Sequence, residues 1–152
     1  MDISTAVPHT ELETLSRRYA AAVDHRDSTA LLALFTPDAT LRVERGGREP
    51  RILTGHDELA GIIGVVAGFP RTFHLVAQCL YVVDGDSAAG EVYCVANHFS
   101  EDEAGSGHNH IWYIRYHDRY SADNDGRWRI AQRTLAVDAT EDRPASIAGG
   151  AA

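Results

Sequence analysis

The second half of the chain is a succession of four long segments in which apolar and polar residues alternate. They read TFHLVAQCLYVVD (72–84), SAAGEVYCVANHFSE (87–101), HNHIWYIRYHDRYSA (108–122) and RWRIAQRTLAVDAT (127–140). Alternation with a period of two is typical of a β-strand with one buried face. The intervening GD and DNDG sequences are typical of hairpin turns. This half of the chain therefore predicts an antiparallel sheet.

The first half of the chain predicts three helices and one strand. The helices are expected at 9–24, 26–35 and 55–69, and the strand at 39–45. Thr10 and Glu13 form a capping-box sequence for the first helix. Asp27 or Ser28 is suited to cap the second helix, because a short polar side chain can accept a bond from a free backbone N–H.

The predicted order, α–α–β–α–β–β–β–β, is that of an α+β domain. We expect a cone-shaped barrel: a curved antiparallel sheet with three helices packed over its concave face. A cone that side chains do not fill holds a pocket open at one end. We expect a single domain over 9–140, with flexible termini at 1–8 and 141–152.

The length and composition are those of an ordinary globular domain, and 152 residues suffice for one sizeable core. No apolar run approaches the roughly 18 residues of a membrane span, and no secretory signal is visible, so we expect a cytoplasmic protein. The 14 basic residues are scattered and outnumbered by 22 acidic ones, which argues against a nucleic-acid partner. Cys79 and Cys94 lie in strand-like runs and are expected to be small core residues.

Three titratable residues lie where an apolar core is expected. His74 and His98 fall within strands, and Asp24 lies beside the apolar stripe of the first helix. A buried ionisable group is unfavourable without a partner. A carboxylate bonded to one ring nitrogen leaves the other nitrogen as a base, so we interpret Asp24 as the orienting partner of His74. The alternatives are a satisfied core histidine and a solvated aspartate.

The sequence offers little for a metal or a cofactor. The segment HNH at 108–110 places two histidines on one strand face, but no third ligand is spaced to complete a metal site. Neither a phosphate-binding loop nor a nucleophilic serine or cysteine motif is present. We therefore predict no metal and no cofactor.

Several segments resemble a known family. They are LSRRYAAAVDHRDSTALLALFTPDATLRV, GHDELAGII, FHLVAQ, VVDGDSAAGEVYCVANHF and RYHDRYSADNDGRWRIAQRTLAVD, spread over about residues 11–138. Together they look like the SnoaL-like branch of the nuclear transport factor 2-like superfamily. The branch includes scytalone dehydratases, hexachlorocyclohexane dehydrochlorinases and SnoaL-type polyketide cyclases. The resemblance implies a cone-shaped α+β barrel and proton abstraction by a histidine that an aspartate holds.

The resemblance also implies roles for individual residues. By position in these motifs, Asp24 resembles the orienting aspartate and His74 the base. Arg133 falls where the dehydrochlorinases carry an arginine that steadies the leaving anion. His98 resembles a second histidine of the scytalone dehydratases. Tyr19 stands in place of a dehydrochlorinase lysine, and its hydroxyl is able to donate a hydrogen bond to a departing group.

The rest of the pocket is expected to be apolar and shaped for a flat hydrophobic substrate. The expected substrate-binding residues are Phe35, Phe69, Val92, Cys94, Trp112, Ile114, Tyr116, Leu135 and Val137.

The expected function is that of a cofactor-independent lyase or isomerase, dehydratase-like or cyclase-like, acting on a small hydrophobic substrate. One alternative is a non-catalytic ligand-binding or assembly module of the same fold. Another is an epoxide hydrolase with an Asp–Arg–Asp set to which Asp118 and Arg133 contribute. Relatives imply a homodimer or homotrimer through the outer sheet face, where Tyr113, Trp128 and Ile130 are candidate contacts.

Overall fold

The structure of the protein, a computed structural model, describes residues 3–148. Its elements are α1 (Ile3–Asp24), α2 (Ser28–Leu32), β1 (Phe35–Arg45), β2 (Arg51–Thr54), α3 (Gly55–Leu59), α4 (Gly61–Val66), β3 (Arg71–Asp84), β4 (Ser87–Glu101), β5 (Gly107–Ala122) and β6 (Trp128–Pro144). Within this part of the chain, none of the helices has the length and apolar character to cross a membrane.

The six strands form one sheet in the order β2–β1–β6–β5–β4–β3. Helix α1 packs against β3 and β6, and α3 packs against β1. The predicted α+β class, a curved sheet covered by helices, is confirmed. Two details differ from the prediction. The sheet is mixed, because β1 runs parallel to β6 while every other neighbouring pair is antiparallel. The sheet is also open, with β2 and β3 at its edges, rather than a closed barrel.

An extra residue in β6 changes which side chains face the core. Ala131 has no partner on β5, because Ile130 and Gln132 pair with consecutive β5 residues. Such a bulge shifts the alternation of faces by one position. Ile130 and Arg133 are therefore both buried, at 0% and 1% exposure, and Trp128 is buried as well. Trp128 and Ile130 thus do not line the outer sheet face, contrary to the prediction.

The first two helices differ from their predicted bounds. Helix α1 begins at Ile3 rather than at residue 9, so Thr10 lies inside the helix and is not its N-cap. Asp27 caps α2 as predicted, since its carboxylate accepts a 2.9 Å bond from the backbone N–H of Ala30. Helix α2 is shorter than predicted, because the chain enters β1 at Phe35 and pairs there with β6.

Other boundaries also move. The helix predicted at 55–69 is two short helices, α3 and α4, separated at Ala60. Its several glycines lower helix propensity, which accounts for the interruption. Strand β2 has only four residues, too few for alternation to show in the sequence. Strand β6 continues to Pro144, beyond the predicted end at residue 140, because its last residues pair with the start of β5.

The core lies between α1 and the concave face of the sheet. Its most deeply buried apolar side chains are Leu12, Leu31, Leu41, Leu59, Val92 and Ile130. Cys94 is buried and Cys79 is partly buried, and both are free thiols. Five polar side chains are also buried, namely Ser16, Thr72, His98, Asp118 and Arg133. Buried polar groups need partners, and the partners of four of them define the candidate site.

Candidate functional site

Asp24 and His74 are in contact, although 50 positions separate them in the sequence. Nδ1 of His74 lies 2.7 Å from Oδ1 of Asp24, and the backbone N–H of His74 donates to Oδ2 at 2.9 Å. The hydroxyl of Thr72 donates to Oδ1 at 2.8 Å. Asp24 ends α1 and His74 lies near the start of β3. The packing of this helix against the edge strand therefore brings the two side chains together.

These hydrogen bonds determine where the protons of the pair lie. Burial raises the pKa of Asp24, but the bonds from His74 and Thr72 outweigh it and hold that pKa below its ordinary value. An ionised carboxylate only accepts, so Nδ1 of His74 carries the proton of this hydrogen bond, and in the neutral tautomer of such a ring the lone pair is on Nε2. The His74 side chain is 6% exposed. Among the described residues, no side chain forms a hydrogen bond with its Nε2.

Arg26, which the sequence analysis missed, ties the Asp24 end of α1 to its neighbours. Its guanidinium donates hydrogen bonds of 2.7–3.1 Å to the carbonyl oxygens of Val23, Asp24, Val66 and Phe69 and to the hydroxyl of Thr72. The residue is in the left-handed region, with φ 57°. A cation just past a predicted helix end, where free carbonyls collect, is the signal that could have identified it.

His98 lies beside His74 and is uncharged at neutral pH. The two ring centroids are 5.7 Å apart at an angle of 84°, and the rings of Phe69 and Trp112 lie within 5.0 Å of His98. Burial lowers the pKa of His98 to about 4. Its Nδ1 lies 3.0 Å from the carbonyl oxygen of His110 and donates to it. Nε2 of His98 is therefore an acceptor as well.

Arg133 is engaged in a buried ion pair. Nε and Nη2 donate to the two oxygens of Asp118 at 2.8 and 2.7 Å, and the Tyr120 hydroxyl donates to the same carboxylate at 2.5 Å. Burial lowers the pKa of Arg133, but the Asp118 charge more than offsets this and raises it well above the ordinary value. The guanidinium packs on the rings of both Tyr19 and Tyr116, at 4.3 and 4.1 Å from their centroids. Its Nη1 is buried without a hydrogen-bond partner among the described residues.

A cavity of about 100 Å³ lies between α4 and the concave face of the sheet. Of the predicted catalytic residues, His74, His98 and Tyr19 line it. Arg133 is not among the lining residues: its side chain is 0% exposed and contacts the rings of Tyr19 and Tyr116, which do line the cavity. Asp24 stands behind His74 and also lies outside the lining.

The predicted substrate-binding residues divide into two groups. Those that line the cavity are Phe69, Trp112, Ile114, Tyr116 and Leu135. Phe35, Val92 and Cys94 lie outside the lining because they are buried in the core, and Val137 lies outside it at a partly buried position. Apolar side chains of β1, β2 and α4 complete the wall, and Arg51 lies at its edge; the sequence did not single out these residues. These elements are short or irregular, so no alternation marked their inward faces.

The arrangement bears on the epoxide-hydrolase alternative and on metal binding. Asp118 is bound to Arg133 outside the cavity lining, and Asp24 is bound to His74. The Asp118 carboxylate, which the epoxide-hydrolase alternative would place beside a water in the pocket, is instead buried and bound by Arg133 and Tyr120. Within residues 3–148, no group of three or more His, Cys, Asp or Glu side chains is placed to hold a metal ion.

Comparison with known proteins agrees with this architecture. A family model for the SnoaL-like domain matches residues 8–134. An uncharacterised protein of Mycobacterium bovis is 30% identical over 125 residues, which cover 81% of this chain and 80% of the relative. A candidate scytalone dehydratase from Novosphingobium aromaticivorans superposes with a TM-score of 0.76 at 23% identity, covering 100% of both chains.

A hexachlorocyclohexane dehydrochlorinase from Novosphingobium barchaimii also superposes with a TM-score of 0.76, at 16% identity and over 98% of this chain and 96% of the other. These structural similarities establish a shared fold. The family match extends over most of the chain, including Asp24, His74, His98 and Arg133. The chain therefore belongs to the SnoaL-like domain family of the nuclear transport factor 2-like superfamily.

Proposed function

We propose that this protein is a cofactor-independent lyase or isomerase that removes a proton from carbon in a small hydrophobic substrate. The observation that carries the proposal is the Nδ1 contact of His74 with Asp24, at 2.7 Å, beside an apolar cavity. An imidazole held in this way has one tautomer, and its remaining nitrogen can act as a general base near neutral pH.

In this mechanism Nε2 of His74 takes the proton and the ring becomes an imidazolium. The carboxylate of Asp24 stabilises the new charge through the same hydrogen bond. The electron pair of the broken C–H bond forms a double bond. A group on the neighbouring carbon then departs with its own electron pair, or the anion is reprotonated at another carbon. Asp24 is a positioning residue here, and His74 is the catalytic base.

The negative charge that develops on the substrate needs hydrogen-bond donors. Tyr19 and Tyr116 line the cavity, and burial raises the pKa of both phenols. Both hydroxyls therefore stay protonated and can donate. Arg133 behind the two rings adds a positive field even though Asp118 neutralises it in part. His98, which is uncharged, supplies a second acceptor and suits a substrate with a hydroxyl group near the acidic carbon.

The chemistry of the structural relatives supports the same class of reaction. A dehydratase and a dehydrochlorinase both remove a proton and a leaving group from adjacent carbons, and proteins bearing these two names share this fold. Because one fold serves many functions, the proposal rests on the residues of this chain. The proposal names only a class of substrate, a small hydrophobic molecule with an acidic C–H, and it names no particular leaving group.

The test is hydrogen–deuterium exchange at an acidic carbon, which needs no knowledge of the natural leaving group. The protein is incubated in D₂O with 2-tetralone, a small flat ketone, and the loss of the C1 proton signal is followed by NMR. We expect faster exchange than in buffer. His74→Gln should lower the protein-dependent rate by about 10²-fold or more, and Asp24→Asn should lower it less, because the base remains but loses its fixed tautomer.

His117→Gln is the matched control, since His117 is exposed and lies opposite Glu91 outside the cavity. It should leave the rate unchanged. Exchange that survives in His74→Gln would contradict the proposed role of His74. The ligand-binding alternative predicts a different result: 2-tetralone shifts the imidazole signals of His74 and His98, but the protein does not accelerate exchange.

A further inference from the structure

Two arginines stand at one side of the cavity without a carboxylate partner. Arg51 contributes to the cavity wall, and the guanidinium of Arg45 lies 4.2 Å from the ring centroid of Trp112, which also lines the cavity. Among the described residues, neither forms an ion pair or a side-chain hydrogen bond. Six other arginines do pair with a carboxylate, at positions 17, 42, 115, 129, 133 and 143.

The strand register places both arginines on the concave side of the sheet. Arg51 is opposite Val43, which lines the cavity. Arg45 follows Val43 by two positions on the same strand, so the two side chains share a face. Strand β2 carries Arg51 at one edge of the sheet, whereas β3 carries His74 at the other edge. The curvature of the sheet brings both residues to the same cavity.

The cavity therefore has different chemistry at its two walls. The His74 wall offers acceptor nitrogens, because His74 bonds through Nδ1 to Asp24 and burial keeps the pKa of His98 at about 4. The opposite wall offers guanidinium groups, which are always charged and match the two oxygens of a carboxylate. The chain as a whole has a net charge of −8, but charges more than ~8 Å away are largely screened at physiological salt. An anion at this wall would meet mainly the two arginines.

We propose that the substrate of this site carries a carboxylate, bound by Arg51 and Arg45, on an apolar body whose acidic C–H faces His74. The inference rests on the proposed function for the orientation toward His74. Carboxylate binding itself does not depend on catalysis. The arginines would fix the far end of the substrate, so that only one of its carbon atoms lies at the base, and Trp112 would contact the apolar body beneath Arg45.

The test uses benzoate and benzamide, which have the same shape and differ in charge. Binding is measured at millimolar concentration from NMR shifts of the His74 and His98 imidazoles and the Trp112 indole. We expect benzoate to bind the wild-type protein about tenfold more tightly than benzamide. Arg51→Gln should remove most of this preference, with a larger loss for benzoate than for benzamide, and Arg45→Gln should reduce it. Added salt should weaken benzoate binding only.

Arg48→Gln is the matched control, because Arg48 is an exposed arginine of the turn between β1 and β2 and does not line the cavity. It makes the same change in net charge and should leave benzoate binding unchanged. Equal binding of the two probes, no binding of either, or equal effects of Arg51→Gln and Arg48→Gln would each overturn the proposal.

The outcomes separate this proposal from the proposed function. A benzoate preference that depends on Arg51, in a protein that does not exchange the protons of 2-tetralone, would support carboxylate binding and contradict the proposed role of His74 as a base. Exchange that depends on His74, without a benzoate preference, would support the base and contradict carboxylate binding.

Discussion

The guanidinium of Arg26 donates a 2.7 Å hydrogen bond to the hydroxyl of Thr72, and that hydroxyl donates in turn to Asp24. Because Arg26 only donates, it forces the Thr72 proton toward the carboxylate. The same guanidinium binds the carbonyl oxygens of Val66, the last residue of α4, and of Phe69 after it, and α4 covers the cavity. Arg26 therefore couples the orientation of the carboxylate to the position of the helix above it.

Arg26→Gln is expected to lower both stability and proton exchange. A glutamine cannot reach five acceptors, and hydrogen bonds from a charged group contribute about 1.5–3 kcal/mol each when they are buried. Since the residue is partly exposed, we expect the free energy of unfolding to fall by about 2–3 kcal/mol in urea titration. The exchange rate with 2-tetralone should fall even at temperatures where the variant is fully folded.

Arg17→Gln is the control for this change. Arg17 forms an exposed pair with Glu13 one helical turn earlier, and such pairs contribute less than about 1 kcal/mol. An equal loss of stability in the two variants would show that the bonds of Arg26 carry no special weight.

The backbone at Arg26 permits a second, independent prediction. Its φ of 57° is costly for a residue with a Cβ, by about 1–2 kcal/mol, and not for glycine. Arg26→Gly and Arg26→Ala lose the same hydrogen bonds, but only glycine relieves the strain. The glycine variant should therefore be more stable than the alanine variant by about 1 kcal/mol in urea unfolding, the reverse of the order in a helix interior. Equal stability would mean that the turn relaxes.

The stability of the protein should depend on pH through His98. Burial lowers the pKa of this histidine from 6.5 to about 4 in the folded state. Between these values the unfolded chain binds more protons than the folded one, so stability rises with pH. The contribution is complete above about pH 6.5 and is lost as the pH falls toward 4. It amounts to at most about 3 kcal/mol, and less where solvent reaches the ring.

The measurement compares urea unfolding of the wild type and His98→Gln from pH 4.5 to 7.5. The variant should lose part of the pH dependence, whereas His117→Gln, at an exposed histidine, should retain it. The titration of Asp24 does not contribute to the pH dependence in this range. Its pKa lies below the ordinary 3.8 in the folded state, so its contribution is lost only in more acidic solution. An unchanged slope in His98→Gln would contradict the prediction.

The regular parts of the molecule could be predicted from the sequence because they follow simple periods. Alternation over more than ten residues located the four long strands, and polar residues against that pattern singled out His74 and His98. The open edges and the parallel pairing of β1 with β6 depend on contacts between distant segments. The burial of Trp128 and Ile130 on the same side of the sheet as Arg133 depends on the bulge at Ala131, which the alternation of the sequence does not show. Arg26 was missed because an arginine at a helix end is usually solvated.

The ion pair between Arg133 and Asp118 should behave as one unit in a double-mutant cycle. Both side chains have 0% exposure, so removal of either partner leaves a buried charge uncompensated. Arg133→Met and Asp118→Leu should each lower the free energy of unfolding by about 3–5 kcal/mol, while the double variant should lose much less than their sum.

The cycle is best measured by urea unfolding in a Tyr120→Phe background, because the Tyr120 hydroxyl would otherwise lose its acceptor. The exposed pair of Arg115 and Asp138, bonded at 2.6 Å, is the matched control and should show a coupling below about 1 kcal/mol. Additive losses at Arg133 and Asp118 would mean that the two side chains are not coupled and that each is held by other contacts.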